Sequence, residues 1–218
     1  MWCVPALNEA YIACMEDVLA LYERPYAAAE PVICFDEKPL VLHDEVRLSV
    51  PARPTGRIAK RDSEYKRCGT ANVFCAVEPL AGRHFAWPTT RRSAADFASA
   101  LERLVSAYPW ARTIHIVLDN LNIHCRKSLT DFFGDQKGAY IWSRFTVHHT
   151  PNHGSWLNQA EIEIGLYSRQ CLGRRRLASL DKVILETRAW LKRVNQDRLR
   201  ISWSFDRKTA RRVFRYAH

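Results

Sequence analysis

The stretch PVICFDEKP, residues 31–39, decides the expected fold because an apolar, β-branched run leads straight into a carboxylate. Such a run predicts a buried strand that stops at Asp36. A second stretch, RTIHIVLDN at 112–120, repeats the pattern and ends at Asp119. If these two strands lie side by side in one sheet, both carboxylates emerge at the same edge, where open α/β sheets bind their ligands.

The pattern of apolar residues predicts an α/β order around these two strands. Apolar spacings of three and four predict helices at 6–22, 92–108 and 179–196, and a helix from Ser155, as its N-cap, to about Gln170. Further strands are predicted at 44–50 and within 140–150, and a hairpin at 71–87 that turns near Gly82. Together they predict a mixed sheet covered by helices.

A third carboxylate comes from Glu161, in the stretch HHTPNHGSWLNQAEIEIG at 148–165. On a helix Glu161 shares a side with Leu157 and Ile164, which weakly favours an inward position, whereas Glu163 points nearly the opposite way. Three carboxylates can hold two divalent cations. Such a pair of cations activates the oxygen that attacks a phosphodiester and stabilises the oxygen that leaves. The alternative is that Asp36 and Asp119 are turn-forming acids and Glu161 is a surface charge; spacing alone leaves both interpretations open.

The histidines of the same stretch do not form a recognisable metal motif. His149 and His153 are four residues apart, but Pro151 lies between them, so they do not share a helix. No H-E-x-x-H pattern and no cysteine at zinc spacing accompanies them. We therefore expect a strand end followed by a turn.

Composition limits the class of protein. The 218 residues are 47% hydrophobic, which suits a globular domain, and no run of about eighteen apolar residues predicts a membrane span. Seven scattered cysteines without a C-x-x-C pair, and no signal-like N-terminal pattern, favour a reduced, cytoplasmic protein.

The positive charge is concentrated at one end of the chain. Residues 1–165 hold 18 basic and 19 acidic residues, whereas residues 166–218 hold 15 basic and 4 acidic ones, a net charge of +11. This asymmetry predicts a polyanionic partner, above all nucleic acid, although a solvated basic helix face is the simpler alternative. The candidate DNA-binding residues fall in a basic loop and in the C-terminal quarter: Arg57, Lys60, Arg61, Arg174, Arg175, Arg176, Lys192 and Arg193.

The acids and their neighbours together resemble a known family. VICFDEKP, IHIVLDNLNIH and HHTPNHGSWLNQAEIEIG are similar to motifs of the DDE transposases of bacterial insertion sequences, in the mariner-like superfamily. YKRCGTANVFCAVEPLAGRH at 65–84 and ISWSF at 201–205 resemble further segments of that family. The resemblance covers the whole chain.

The resemblance implies an RNase H-like fold, a central mixed five-stranded sheet flanked by helices. It implies that residues 1–28 form a linker helix, 29–200 the catalytic domain and 201–218 a basic C-terminal segment. The catalytic and metal-binding acids would be Asp36, Asp119 and Glu161, with Mg²⁺ as the cofactor and Mn²⁺ as a substitute. Glu37 and Glu163 fall on non-catalytic positions, and the residues expected to support the acids or position phosphate are Asn120, His124 and Asn158.

The implied activity is cleavage at transposon ends followed by strand transfer into target DNA, typically at TA, by a homodimer on DNA in a bacterial cytoplasm or nucleoid.

Two departures from the family matter. The helix-turn-helix modules that usually precede the catalytic domain are missing, so a separate chain would supply them or the copy is truncated. The 41 residues between Asp119 and Glu161 exceed the usual spacing, and we expect the extra length in a loop and strand at 131–145.

Two further functions remain open from sequence alone. A truncated element could leave a catalytically silent DNA-binding remnant, which the missing modules favour and the three intact acids oppose. An RNase H-like nuclease of repair or recombination would cut DNA without joining ends. Metal binding at the acids separates the first alternative from a transposase, and the fate of the cut ends separates the second.

Overall fold

Five strands form one mixed sheet in the computed structural model, which describes residues 7–216 except 48, 49, 51, 53, 55, 57, 60 and 61. The strands are β1 (Val32–Glu45), β2 (Tyr65–Glu78), β3 (Arg83–Thr89), β4 (Ile114–Leu118) and β5 (Phe145–His149). Their order across the sheet is β3-β2-β1-β4-β5. β2 pairs antiparallel with β1 and β3, whereas β4 pairs parallel with β1 and β5, so the predicted mixed sheet is confirmed.

Helices cover both faces of this sheet. The α-helices of the described chain are α1 (Glu9–Tyr22), α2 (Ala94–Ala107), α3 (Arg126–Phe133), α4 (Asp135–Ser143), α5 (Ala160–Tyr167), α6 (Leu180–Asp197) and α7 (Arg207–Phe214). A 3₁₀ turn (Ser155–Leu157) precedes α5, and one π-helical turn (Ser168–Leu172) follows it.

One face of the sheet packs against α2, α3 and α4. Strand side chains alternate between the two faces, and Phe35, Phe74 and Ile116 are fully buried on this one. Phe97 and Leu101 of α2 lie in the same cluster, with Phe35 and Phe97 in edge contact at 5.6 Å between ring centroids. This core fixes the strands that carry the two aspartates.

The opposite face packs against the remaining helices. Cys34 and Val117 share a core with Met15 of α1 and Ala210 of α7, so the two ends of the chain meet over the centre of the sheet. Over β2, α5 and α6 bury a second cluster that contains Val73, Cys75, Tyr167, Val183 and Trp190. The domain boundaries at 28 and 200 stay predictions, but α1 and α7 both contribute to the core.

The prediction that the first strand stops at Asp36 was wrong. β1 continues through Asp36 because its antiparallel pairing with β2 runs from Cys34 opposite Val77 to Glu45 opposite Tyr65, with one irregularity at Leu42–His43. The separate strand predicted at 44–50 was wrong for the same reason, since its first two residues end β1. The outer parts of β1 and β2 therefore form a two-stranded ribbon, here named the β-ribbon.

Two other elements differ from the sequence-based expectation. The continuous helix predicted from Ser155 is broken, because Asn158 has an extended backbone (φ −78°, ψ 111°) and α5 begins only at Ala160. The loop and strand expected at 131–145 are instead the end of α3 and the whole of α4, which are joined at Gly134 with φ +84°. Among the described helices, none combines the length and the apolar character needed to cross a bilayer.

A capping box begins α2. Ser93 Oγ accepts from the backbone N–H of Asp96, and Asp96 Oδ2 accepts from the N–H of Ser93, both at 3.2 Å. These two contacts satisfy backbone donors that a helix start leaves without partners. The box thereby stabilises the helix that covers the core.

Ser93→Ala is expected to lower the free energy of unfolding by about 1 kcal/mol, because it removes the N-cap acceptor of α2. Urea denaturation followed by circular dichroism measures the change. Ser106→Ala, an exposed change in the last turn of the same helix, is the matched control and should move stability by less than about 0.5 kcal/mol. Equal losses in both variants would contradict the role assigned to the capping box.

Candidate active site

Parallel pairing of β1 with β4 brings the first two predicted acids together. The register aligns Val32 with His115 and Cys34 with Val117, and the same offset carried two residues further sets Asp36 level with Asp119. Asp36 lies inside β1, whereas Asp119 directly follows the last residue of β4. Asp36 therefore lies beside the end of β4, because β4 stops at this level while its own strand, β1, continues.

The surroundings of Asp36 are strongly unfavourable for its charge. The side chain is largely buried, and its Oδ1 accepts only from the backbone N–H of Glu37, at 2.7 Å, among the contacts of the described chain. Burial raises the pKa of Asp36 to about 7, the Glu37 N–H opposes this rise, and the negative charges of Glu37, Asp119 and Glu161 add to it. Asp119 and Glu161 therefore lie within electrostatic range of Asp36.

Asp119, in contrast, has a buried cationic partner. His124 Nδ1 lies 2.7 Å from Asp119 Oδ1, and the backbone N–H of Leu121 donates to the same oxygen at 3.2 Å. Burial works against ionisation of Asp119, but the His124 contact outweighs it and holds the pKa of Asp119 below its usual value. The carboxylate is therefore both charged and fixed in orientation.

His124 connects Asp119 to a second carboxylate. Its Nε2 lies 3.4 Å from Glu37 Oε2, and the other oxygen of Glu37 accepts from Arg92 at 3.1 Å. Burial opposes a charge on this imidazole, but Asp119 and then Glu37 raise the pKa of His124 to about 9. The ring is therefore doubly protonated and lies between two carboxylates. Its positive charge stabilises the charged form of Asp119.

The two asparagines predicted to support the site are held by backbone groups. Asn120 Nδ2 donates to Thr150 O at 2.6 Å, which joins the ends of β4 and β5. Asn158 Nδ2 donates to Phe35 O at 2.8 Å, next to Asp36, and Asn158 Oδ1 accepts from the N–H of Ala160. Asn158 thus fastens the start of α5 to β1, a positioning role that agrees with the sequence-based prediction without testing it.

The two glutamates of α5 occupy opposite environments. Glu161 is exposed, so the weak inward position expected from helical spacing was wrong. Glu163 is fully buried, and its Oε2 lies 2.8 Å from His84 Nδ1 on β3. The irregular start of α5 explains the difference, because Leu157 and Asn158 are not part of the same helix as Glu161.

His84 and Glu163 form a buried hydrogen-bonded pair, and burial raises the pKa of Glu163. The Nε2 of His84 donates to Leu199 O at 2.8 Å, and its Nδ1 shares a hydrogen bond with the Glu163 carboxyl group. Burial opposes a charge on this imidazole, but the hydrogen bond and charge of Glu163 outweigh it and hold the pKa of His84 above its usual value. Sequence analysis missed this pair, because residues 79 positions apart carry no local pattern.

The acids do not by themselves form a closed metal site. Among the described residues, no three His, Cys, Asp or Glu side chains are arranged to hold a metal ion. The available donors are nevertheless the hard carboxylate oxygens that Mg²⁺ and Mn²⁺ prefer. Asp36 and Asp119 come from neighbouring strands and Glu161 from the exposed first turn of α5, so the donor set fits a divalent cation that shares the site with water or substrate oxygens.

The predicted DNA-binding residues separate into several groups. Arg57, Lys60 and Arg61 lie outside the described residues. Arg175 pairs with Glu186, and Arg176 donates to the backbone carbonyls of Asp62 and Glu64 at 2.6 and 2.7 Å, where it fastens the β-ribbon. Arg174 has an interaction within the chain. Lys192 and Arg193 lie on the exposed side of α6, with no ion pair to any acid of the described chain.

One family profile matches most of this chain. The family described as DDE superfamily endonuclease matches residues 31–184, well over half of the chain, and this range contains all three predicted acids. The chain therefore belongs to the DDE superfamily of endonucleases. No curated protein sequence matches it.

Solved structures of one transposase have the same fold. The crystal structure of the Mos1 mariner paired end complex with Mn is 15% identical with a TM-score of 0.56, and the match covers 91% of this chain and 61% of that one. The Mos1 strand transfer complex is 16% identical with a TM-score of 0.58, over 88% of this chain and 57% of that one. The RNase H-like fold is confirmed. The chain spans about three fifths of the length of these structures.

Glu163→Gln is expected to lower the free energy of unfolding by about 2 kcal/mol, because it replaces the buried carboxyl partner of His84 Nδ1 with an amide. Glu161→Gln is the matched control, two residues away on the same helix, and should change stability by less than about 0.5 kcal/mol because its side chain is exposed. Thermal and urea unfolding measure both. A stable Glu163→Gln variant would show that the pair contributes little to the fold.

Proposed function

We propose that this chain is the catalytic domain of a transposase, which cleaves DNA at transposon ends and joins the freed strand to target DNA with divalent cations. The observation that carries the proposal is the pairing of β1 with β4, which sets Asp36 level with Asp119, within electrostatic range of Glu161. The family match over 31–184 supports the same chemistry. Structures of the Mos1 transposase with Mn, with Mg and in a strand transfer complex add support by analogy of fold.

Asp36, Asp119 and Glu161 are the residues that would hold the cations, with Mg²⁺ as the physiological ion and Mn²⁺ as its substitute. When bound, such ions lower the pKa of an attacking water or hydroxyl and stabilise the leaving oxygen of the phosphodiester. The fit rests on the donor set: three carboxylates, one of which is held charged by a buried cation and one of which is exposed for capture. A cation would also reduce the repulsion that raises the pKa of Asp36.

The chain's own residues orient these carboxylates. His124 would hold one oxygen of Asp119 and leave the other directed to the site, while Glu37 and Arg92 keep His124 charged. Asn158 would set the position of Glu161 through the start of α5, and the His84–Glu163 pair would fix the helix behind it. We assign no nucleophile to a protein side chain, because attack by water or a DNA hydroxyl needs alignment and charge neutralisation alone.

DNA would bind through the basic C-terminal quarter and the basic loop at the end of the β-ribbon. Lys192 and Arg193 are the described candidates that no acid engages, whereas Arg175 and Arg176 serve the fold first. Phosphate contacts of this kind supply affinity and salt dependence but little sequence choice. We propose that a dimer forms on DNA, that a helix-turn-helix chain or module recognises the transposon end, and that the target contains TA.

The first test is cleavage of a labelled duplex in Mn²⁺ and Mg²⁺, with separate detection of joined products. Glu161→Gln is expected to lower cleavage at least about 100-fold, because the site loses one anionic ligand. Asp135→Asn, an exposed acid on α4, is the control and should retain the parent activity. Cut ends without joined products would identify a nuclease instead of a transposase.

Metal binding gives a readout that does not depend on DNA. Saturating Mn²⁺ is expected to raise the Tm of the parent chain by a few degrees, because a ligand that binds only the folded state stabilises it. Glu161→Gln and Asp36→Asn should lose most of this rise, and Asp135→Asn should keep it. An equal rise in all four proteins would assign the metal to another place.

DNA affinity should depend on Lys192 and Arg193. Their double alanine variant is expected to reduce the slope of log affinity against log salt by about 2, because two phosphate contacts are lost. The matched control is the double alanine variant of Lys127 and Lys137, which removes the same charge but changes lysines already paired with Asp131 and Glu102. Fluorescence anisotropy over a salt series measures both, and equal slopes would reject α6 as a contact surface.

A further inference from the structure

A cleft extends from Asp119 to the start of α1. Its narrow part, of about 250 Å³, is lined by Asp119, and its wide part, of about 360 Å³, by Asn8 and Tyr11. The two parts share one wall, Asn120 and the turn 150–153 after β5. The volume of the wide part falls at the lower end of the range for sites that bind small molecules, which suits a single group of a larger ligand.

The wall of this cleft is rich in carboxamides and poor in charge. No lysine or arginine is among its lining residues, so it does not resemble a phosphate site. Asn152 is exposed there, and no hydrogen bond engages its amide within the described chain. Asn120 donates from its Nδ2 to Thr150 O, and Asn8 accepts at its Oδ1 from the N–H of Tyr11. The other polar atom of each amide has no hydrogen bond within the described chain. Amide pairs of donor and acceptor match the edges of nucleobases, adenine above all.

Tyr11 supplies an independent indication of a ligand. The residue is 6% exposed and lines the wide part of the cleft, and its hydroxyl has no hydrogen-bond partner within the described chain. Buried hydroxyls nearly always have partners, because a lost hydrogen bond to water is otherwise not replaced. A polar group that enters the cleft would provide one.

We propose that this cleft receives one nucleobase of the DNA strand that is cleaved at the acids, and that Asn152 and Tyr11 hydrogen-bond its edge. The inference rests on the proposed function, because only a bound DNA strand would bring a base next to Asp119. This cleft would recognise a base, whereas the contacts proposed for the basic residues are to phosphates. The exposed imidazole of His153, beside Asn152, offers a flat surface for the same base.

The test compares two single strands of about twelve nucleotides, a length within known single-strand site sizes. One strand is abasic throughout, and the other carries one adenine at its centre. Both carry the same phosphates and a fluorophore at the 5′ end, so the ratio of their dissociation constants isolates the contribution of the base. Anisotropy titrations at one low salt concentration measure this ratio for the parent chain and for each variant.

The parent chain should bind the adenine strand about tenfold more tightly than the abasic strand. Asn152→Ala should bring the ratio close to one, and Tyr11→Phe, which keeps the ring and removes only the hydroxyl, should lower it as well. Gln136→Ala, an exposed amide on α4, is the control and should leave the ratio unchanged. A ratio of one in the parent, an unchanged ratio in Asn152→Ala, or no binding of the adenine strand would overturn the proposal.

A separate cleavage assay keeps the two proposals apart. Cleavage of duplex DNA without a base-dependent ratio would retain the endonuclease and reject the base site. A base-dependent ratio that Asn152→Ala removes, without cleavage under any metal, would retain the base site and reject the catalytic proposal. The two results are independent, because the binding assay does not require the strands to be cleaved.

Discussion

The parallel pairing of β1 with β4 is the contact on which the rest of the site depends. Its register sets Asp36 level with Asp119, and hydrogen bonds between the two strands hold the residues that precede both acids. Bringing like charges together in a partly buried place is unfavourable by itself, and the two apolar clusters on either face of the sheet supply the stability that maintains it. Asp36 bears the larger part of this repulsion, since Asp119 has His124.

Buried imidazoles serve the same purpose at two places around the acids. His124 lies between Asp119 and Glu37 on the side of α2, and His84 lies between Glu163 and a backbone carbonyl on the side of α6. His84 is held at both ring nitrogens and His124 through its Nδ1 contact with Asp119, so each ring is fixed in direction. One therefore orients Asp119 at the end of β4 and the other orients the helix that carries Glu161.

Local sequence patterns predicted the elements that carry the site but not all of their boundaries. The two apolar runs before Asp36 and Asp119, the capping box of α2 and the hairpin between β2 and β3 were predictable, because each depends on neighbouring residues. The length of β1 was not, since it is set by β2, about thirty residues further along. The break before α5 depends on Asn158 and a carbonyl of β1, 123 residues away, and the His84–Glu163 pair is equally remote in sequence. The exposure of Glu161 follows from that break, so helical spacing could not indicate it.

The position of Asp36 inside a long paired strand, instead of at its end, has a consequence for how this domain can evolve. Residues on both sides of Asp36 are paired with β2, so its alignment with Asp119 is independent of what lies at the far end of the β-ribbon. Insertions or deletions at that tip would lengthen or shorten the ribbon without changing the spacing of the acids. The tip can therefore diverge between related elements, acquiring new partners, while the chemistry stays constant.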